Sequence, residues 1–190
     1  LHYLSQALHI GKVVVTAAEN DLEISRPDSL NFSPEKSYVI TGGASGLGLE
    51  IAKWMVERGA RNIKLWSRSG AKTEYDRLWI EKLGSSVEVQ QVDILDAQLV
   101  NESLNACPNL AGIIHCAAVL KDQSLQNYTQ DDFKVVFGPK AMGAFNLHNG
   151  TKDKDLDFFC LISSISSVFG LPGQVSYAVA NGFLDHLVKI

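Results

Sequence analysis

From Ser37 onward, short apolar runs alternate with runs patterned for helices. Ser37–Thr41, Asn62–Ser67, Ser86–Val92, Gly112–Cys116 and Asp157–Ser163 read as strands. Leu47–Arg58, Thr73–Leu83, Ala97–Ala106, Asp131–Leu147 and the stretch from Val175 onward carry the helical period. Strands separated by helix-length segments are βαβ units, which predict an α/β fold with a doubly wound parallel sheet and right-handed crossovers. Ahead of Ser37 the pattern changes. Leu4–Ile10 is helix-like, Gly11 stops it, and Lys12–Thr16 reads as a strand around Val13, Val14 and Val15. Segment 19–36 is polar, carries Pro27 and Pro34 and shows no period, so it is expected to be a linker. The expected division is a lead over 1–18, a linker over 19–36 and a compact domain over 37–190.

The turn after the first strand of that domain narrows the fold. Thr41-Gly42-Gly43-Ala44-Ser45-Gly46-Leu47-Gly48 joins a strand to a helix start. Glycines let such a turn bend sharply and approach a ligand, while the free N–H groups and dipole of the helix favour an anion. This is the arrangement that holds a dinucleotide pyrophosphate, so the sheet is expected to be Rossmann-type. The spacing is T-G-x-x-x-G-x-G and not the commoner G-x-G-x-x-G. A sheet of order 3-2-1-4-5-6 wants a further strand after the last helix. That helix runs to Ile190 without a stop signal, and residue 1 is Leu. The sheet is therefore expected to be truncated at its C-terminus, within a piece of a longer product.

Bulk composition excludes several classes. The 190 residues are 46% hydrophobic and 20% charged, as in globular domains. A net charge of -4 gives no bulk attraction to nucleic acid or anionic lipid. No apolar run reaches the roughly 18 residues of a membrane span, and the start Leu1-His2-Tyr3-Leu4 lacks the basic and apolar parts of a signal peptide. Cys107, Cys116 and Cys160 fit neither a CxxC pair nor a zinc site. No metal is expected, and free thiols in a reducing compartment, the cytoplasm, are.

The strand ends select the cofactor. An NAD site carries an acid about 20 positions past the glycines. Arg68 stands at that distance from Gly48, beside Ser67, and no carboxylate lies between Ile63 and Gly70. A guanidinium forks onto a 2′-phosphate, which favours NADPH. Asp93, followed by Ile94, is placed either to accept from the adenine amino group or to cap the next helix. Ala117 and Ala118 are small enough to let the nicotinamide ribose pass, and His115 before them reads as a satisfied core histidine.

Ser164 closes the fifth strand, and Tyr177 with Asn181 forms an i,i+4 pair on the next helix. Carbonyl reduction needs a proton donor that stays neutral until it acts. A phenol suits once a nearby ammonium lowers its ordinary pKa of about 10. A serine hydroxyl holds the carbonyl oxygen as charge develops. A serine-rich strand end and a helix tyrosine also occur as purely structural features.

Together, TGGASGLGLEIAKWMVERGA, LWSRSG, HCAAVLKDQSLQN, FGPKAMGAFNLH and LDFFCLISSISSVFGLPGQVSYAVAN resemble the short-chain dehydrogenase/reductase family. More narrowly, they resemble the catalytic ketoreductase subdomain of animal-type fatty acid synthases and polyketide synthases. The resemblance runs in order from Tyr38 to Asn181. The general short-chain pattern is Y-x-x-x-K, yet position 181 is Asn. In synthase ketoreductases the lysine comes instead from the stretch matched here by Pro139 to His148, which makes Lys140 the active-site lysine. The resemblance implies Ser164, Tyr177, Lys140 and Asn181 as the catalytic set. It implies NADPH held by Thr41, Gly42, Ala44, Ser45, Gly46, Leu47, Gly48, Ser67, Arg68, Asp93, Ile94, Ala117, Ala118, Lys140 and Tyr177.

The implied reaction reduces a β-ketoacyl thioester on an acyl carrier protein, within a multifunctional polypeptide that holds the other synthase domains. Asp122, in Leu120-Lys121-Asp122, and Phe169 lean the product toward the D-3-hydroxy form. The lead over 1–18 resembles the closing helix and strand of an enoyl reductase domain. Two other readings stay open: an NADP-binding piece without turnover, and a stand-alone short-chain dehydrogenase acting on a small alcohol or ketone.

Overall fold

A computed structural model describes residues 30–189. The expected helix at Leu4–Ile10, the strand at Lys12–Thr16 and the enoyl-reductase-like lead lie outside them. Packing divides the chain into Leu1–Leu30 and Asn31–Ile190. The second unit takes in chain ahead of Ser37 because Phe32 is part of its core. The Phe32 ring meets Tyr38 and Trp54 edge-on at 5.4 and 5.3 Å, and its N–H donates to the Arg58 carbonyl at 2.8 Å.

Five parallel strands form the sheet: β1 (Ser37–Thr41), β2 (Ile63–Ser67), β3 (Val87–Gln91), β4 (Leu110–His115) and β5 (Phe158–Leu161). Their order is β3-β2-β1-β4-β5. The connecting helices are α1 (Gly46–Glu57), α2 (Glu74–Leu83), α3 (Ala97–Asn105), α4 (Gln130–Phe137), α5 (Gly143–Thr151), the short α6 (Ser166–Phe169) and α7 (Val175–Leu187). The alternation of a strand splits β1 between two cores. Tyr38 and Ile40 face Leu49, Ala52 and Met55 of α1, while Val39 faces Val100 and Leu104 of α3 and Leu147 of α5.

The largest departure from the predicted elements lies at the single helix expected over Asp131–Leu147. α4 and α5 are instead joined by a π turn at Gly138–Met142. Pro139 has no N–H to give and its ring crowds the preceding turn, so the helix widens there. The fifth strand stops at Leu161, short of the expected Ser163, because Ser164 forms a turn of its own. Its Oγ accepts from the Ser166 N–H at 3.2 Å, and its carbonyl accepts from the Ser167 N–H at 3.0 Å.

Candidate active site

The strand order reverses between β1 and β4, and in open α/β sheets that is where a crevice opens beyond the carboxyl ends. A groove of about 220 Å³ lies there, lined from β1 and α1, the end of β2, the end of β3 and the segment after β4. Its floor is the glycine turn. Gly42 has φ +65°, and a Cβ on it would stand 3.1 Å from the backbone N and Cα of Ala117. A Cβ on Gly48 would stand 2.5 Å from the Gly42 carbonyl oxygen, so only glycine lets α1 seat against the turn. Ser45 caps α1 with no side-chain hydrogen bond, and the first turn holds no acid. The first N–H groups and the positive end of the dipole are thus left for an anion. A cradle of bare backbone at a helix start fits a dinucleotide pyrophosphate.

Of the residues expected around a cofactor, Thr41, Gly42, Ser45, Leu47, Gly48, Ser67, Arg68, Ile94, Ala117 and Ala118 line this groove. Ala44 and Gly46 do not: Ala44 is buried beneath the turn and Gly46 sits at the start of α1 with φ +52°. Asp93 also lies off the groove, and its carboxylate accepts from the Leu95 N–H at 3.0 Å. Asp96, not Asp93, caps α3, accepting from the Leu99 N–H at 3.0 Å. At the end of β2, the Ser67 hydroxyl accepts from the Gly70 N–H at 3.1 Å and closes a turn that presents Arg68 to the groove. Among the described residues no carboxylate pairs with the Arg68 side chain. Lys72 joins it on the groove wall, a second cation the sequence reading passed over, although it lies only four positions from Arg68.

Beside the groove the structure brings together three elements that are distant in sequence. The π turn carries Lys140, which is 2% exposed; its neighbour Pro139 lines the groove. The Lys140 Nζ donates to the Ile162 carbonyl at 2.7 Å and stands 5.3 Å from the centre of the Tyr177 ring on α7. Burial pushes the Lys140 amine below its ordinary pKa. Asn181 makes no bond to Lys140. Its amide donates to the Tyr177 carbonyl at 2.8 Å, one turn back, and its Oδ1 is buried without a partner. Ser164 stands in the turn after β5, half-buried.

Burial holds the Cys116 thiol up near 11, away from nucleophilic character. Cys107, Cys116 and Cys160 are all free. Asp122 is tied to the loop before α7, where its carboxylate accepts from the Gln174 amide at 2.8 Å. Phe169, at the end of α6, is exposed. The described residues contain no cluster that could hold a metal and no helix long and apolar enough to cross a membrane.

Known proteins resemble this chain in sequence and fold. Residues 36–190 match the sequence model of the KR domain. The highly reducing polyketide synthase VdtX of Byssochlamys spectabilis is 38% identical over 98% of this chain and 9% of its own length. The reducing polyketide synthase PKS1 of Cochliobolus heterostrophus is 42% identical over 95% of this chain and 8% of its own. The chain thus spans about a tenth of these curated relatives. Among solved structures, a ketoreductase domain from the bacillaene assembly line superimposes with a TM-score of 0.78 at 35% identity, covering 85% of this chain and 41% of that one. The glycine cradle, the sheet order and these likenesses agree: the chain belongs to the KR domain family, the ketoreductases of polyketide synthases, which bind a nicotinamide cofactor.

Proposed function

We propose that this domain reduces a β-ketoacyl thioester to the 3-hydroxyacyl thioester with NADPH, in the cytoplasm. The thioester is carried on an acyl carrier protein, within a polypeptide that also holds other synthase domains. The observation that carries the reading is the buried Lys140 ammonium set 5.3 Å from the Tyr177 ring, beside a groove whose floor is a bare helix start. Bound NADPH supplies a hydride to the carbonyl carbon. Tyr177 gives its phenolic proton to the carbonyl oxygen, and Ser164 donates a hydrogen bond to that oxygen as it becomes an alcohol. Lys140 stabilises the phenolate left behind and holds the nicotinamide ribose of the bound cofactor. Asn181 offers its unpartnered Oδ1 as an acceptor for a water linking it to Lys140. Arg68, Ser67 and Lys72 form a basic wall suited to a 2′-phosphate. The lead over 1–18 closes an enoyl reductase domain. The alignment with a polyketide synthase over 98% of this chain, which takes in most of the lead, supports reading the lead as part of the same synthase.

Tyr177→Phe in the intact protein should lower turnover of a β-keto thioester by about 10²–10⁴-fold while NADPH binding is kept. Reduction at the parent rate would remove Tyr177 as proton donor. Arg68→Glu should weaken NADPH far more than NADH, and equal losses for the two would remove the 2′-phosphate contact. Protection against heat by NADPH without its oxidation would favour a binding module over an enzyme.

A further inference from the structure

His115 takes no part in the reduction as proposed, yet it is completely buried at the end of β4, between the groove and the π turn. Its Nδ1 lies 2.6 Å from Thr41 Oγ1, and its Nε2 lies 2.9 Å from the carbonyl oxygen of Lys140. A carbonyl only accepts, so Nε2 carries the ring proton and Nδ1 is left as the acceptor. The Thr41 hydroxyl therefore donates to Nδ1, and it accepts in turn from the Ala117 N–H at 3.3 Å. The bonds run one way, from Ala117 through Thr41 and His115 to Lys140. Burial holds the imidazole neutral, with its pKa down at about 4, and the Lys140 ammonium acts in the same direction.

The π turn sits directly on this ring. A Cβ on Gly143 would stand 3.4 Å from His115 Cε1 and 2.7 Å from Ile94 Cγ1, so α5 begins in contact with the imidazole and with the groove wall. A π turn is a weak place in a helix, and here its lysine must hold a fixed height.

We infer that His115 is a positioning residue for Lys140: by tying the lysine's carbonyl to the Thr41 hydroxyl, it fixes where the ammonium stands relative to Tyr177. Thr41 lines the groove, so the same chain couples the cofactor cradle to the lysine. The inference rests on the proposed role of Lys140 beside Tyr177.

The test uses the intact protein, NADPH and the N-acetylcysteamine thioester of a β-ketoacid. His115→Leu removes both bonds. With Lys140 displaced by an ångström or so, turnover should fall by about 10–100-fold, with the KM for the thioester nearly unchanged. His115→Gln places an amide N–H near the Nε2 position and should recover most of the turnover. A folded His115→Leu protein with parent kcat, or one whose lost turnover His115→Gln does not recover, overturns the inference. Where His115→Leu fails to fold, Thr41→Val removes the hydroxyl at nearly constant volume, and at saturating NADPH it should lower kcat with the KM for the thioester nearly unchanged; parent kcat again overturns it. Tyr177→Phe, run in parallel, separates the two readings. An inactive Tyr177→Phe protein beside an unperturbed His115→Leu protein sinks the clamp alone, whereas an active Tyr177→Phe protein sinks the reduction mechanism and the clamp with it.

Discussion

The buried imidazole predicts how stability depends on pH. His115 has an ordinary pKa of 6.5, and burial lowers it to about 4 in the folded protein. Between those values the unfolded chain binds a proton that the folded chain refuses. The stability contributed by the neutral ring is therefore complete above pH 6.5 and is lost as pH falls toward 4. Linkage with these two values gives a loss of about 2 kcal/mol at pH 5 and about 3 kcal/mol at pH 4, relative to pH 8.

The other resolved shifts leave this window nearly clear. Asp132, Asp76, Asp185, Glu50 and Glu88 are all held below their ordinary carboxylate values, so their contributions disappear mainly below pH 5. Urea unfolding followed by tryptophan emission at pH 8, 6 and 5 measures the slope, with Trp66 only 1% exposed as the buried reporter. His115→Gln cannot titrate here. The stability gap between parent and variant should narrow by about 2 kcal/mol from pH 8 to pH 5. A gap constant across that range would show that His115 protonates without cost in the fold, which would refute the account of its burial and bonding.

Three further outcomes follow from distances in the structure. Gly48→Ala puts a methyl 2.5 Å from the Gly42 carbonyl oxygen, where neither backbone can yield freely; it should cost about 1–3 kcal/mol of stability by urea unfolding and weaken NADPH by at least about tenfold in a fluorescence titration. Lys140→Met keeps the bulk of the side chain but leaves the Ile162 carbonyl without its 2.7 Å donor; stability should fall by about 1–3 kcal/mol, with kcat lowered more than the KM for the thioester. Asp132→Ala removes a carboxylate that accepts from the Thr129 N–H at 3.0 Å, completes the capping box of α4 and pairs with Lys121 and Gln123. It should lower the urea midpoint of unfolding while leaving NADPH affinity within about twofold, since none of these groups lines the groove.

The sheet and the cradle were legible because local pattern alone determines them. The apolar run within Ser37–Thr41, a glycine at 48 where a Cβ would strike the Gly42 carbonyl and an uncapped helix start are all properties of neighbours in sequence. The pairing of Tyr177 with Asn181 was legible for the same reason, as one helical turn. For Asp93 the sequence left two places open, an adenine contact or a helix cap; the cap falls to Asp96, and the Asp93 carboxylate accepts from the Leu95 N–H. Lys140 was harder. As a residue in an apolar helical run it had no local mark, and only the family resemblance singled it out. The π turn that buries it arises from Pro139, yet a proline in a helix predicts a break or a kink and not which side chain the widened turn will bury. His115 shows where local reading ends. Its burial was foreseen from its apolar strand, but its partners lie 74 positions away at Thr41 and 25 away at Lys140. No period or spacing records a bond between them. The parallel register does: it sets His115 beside Thr41 on the neighbouring strand, and the turn after α4 then meets the imidazole from above. The strand order of the sheet is therefore the link between a pattern readable in the sequence and a lysine whose position is not.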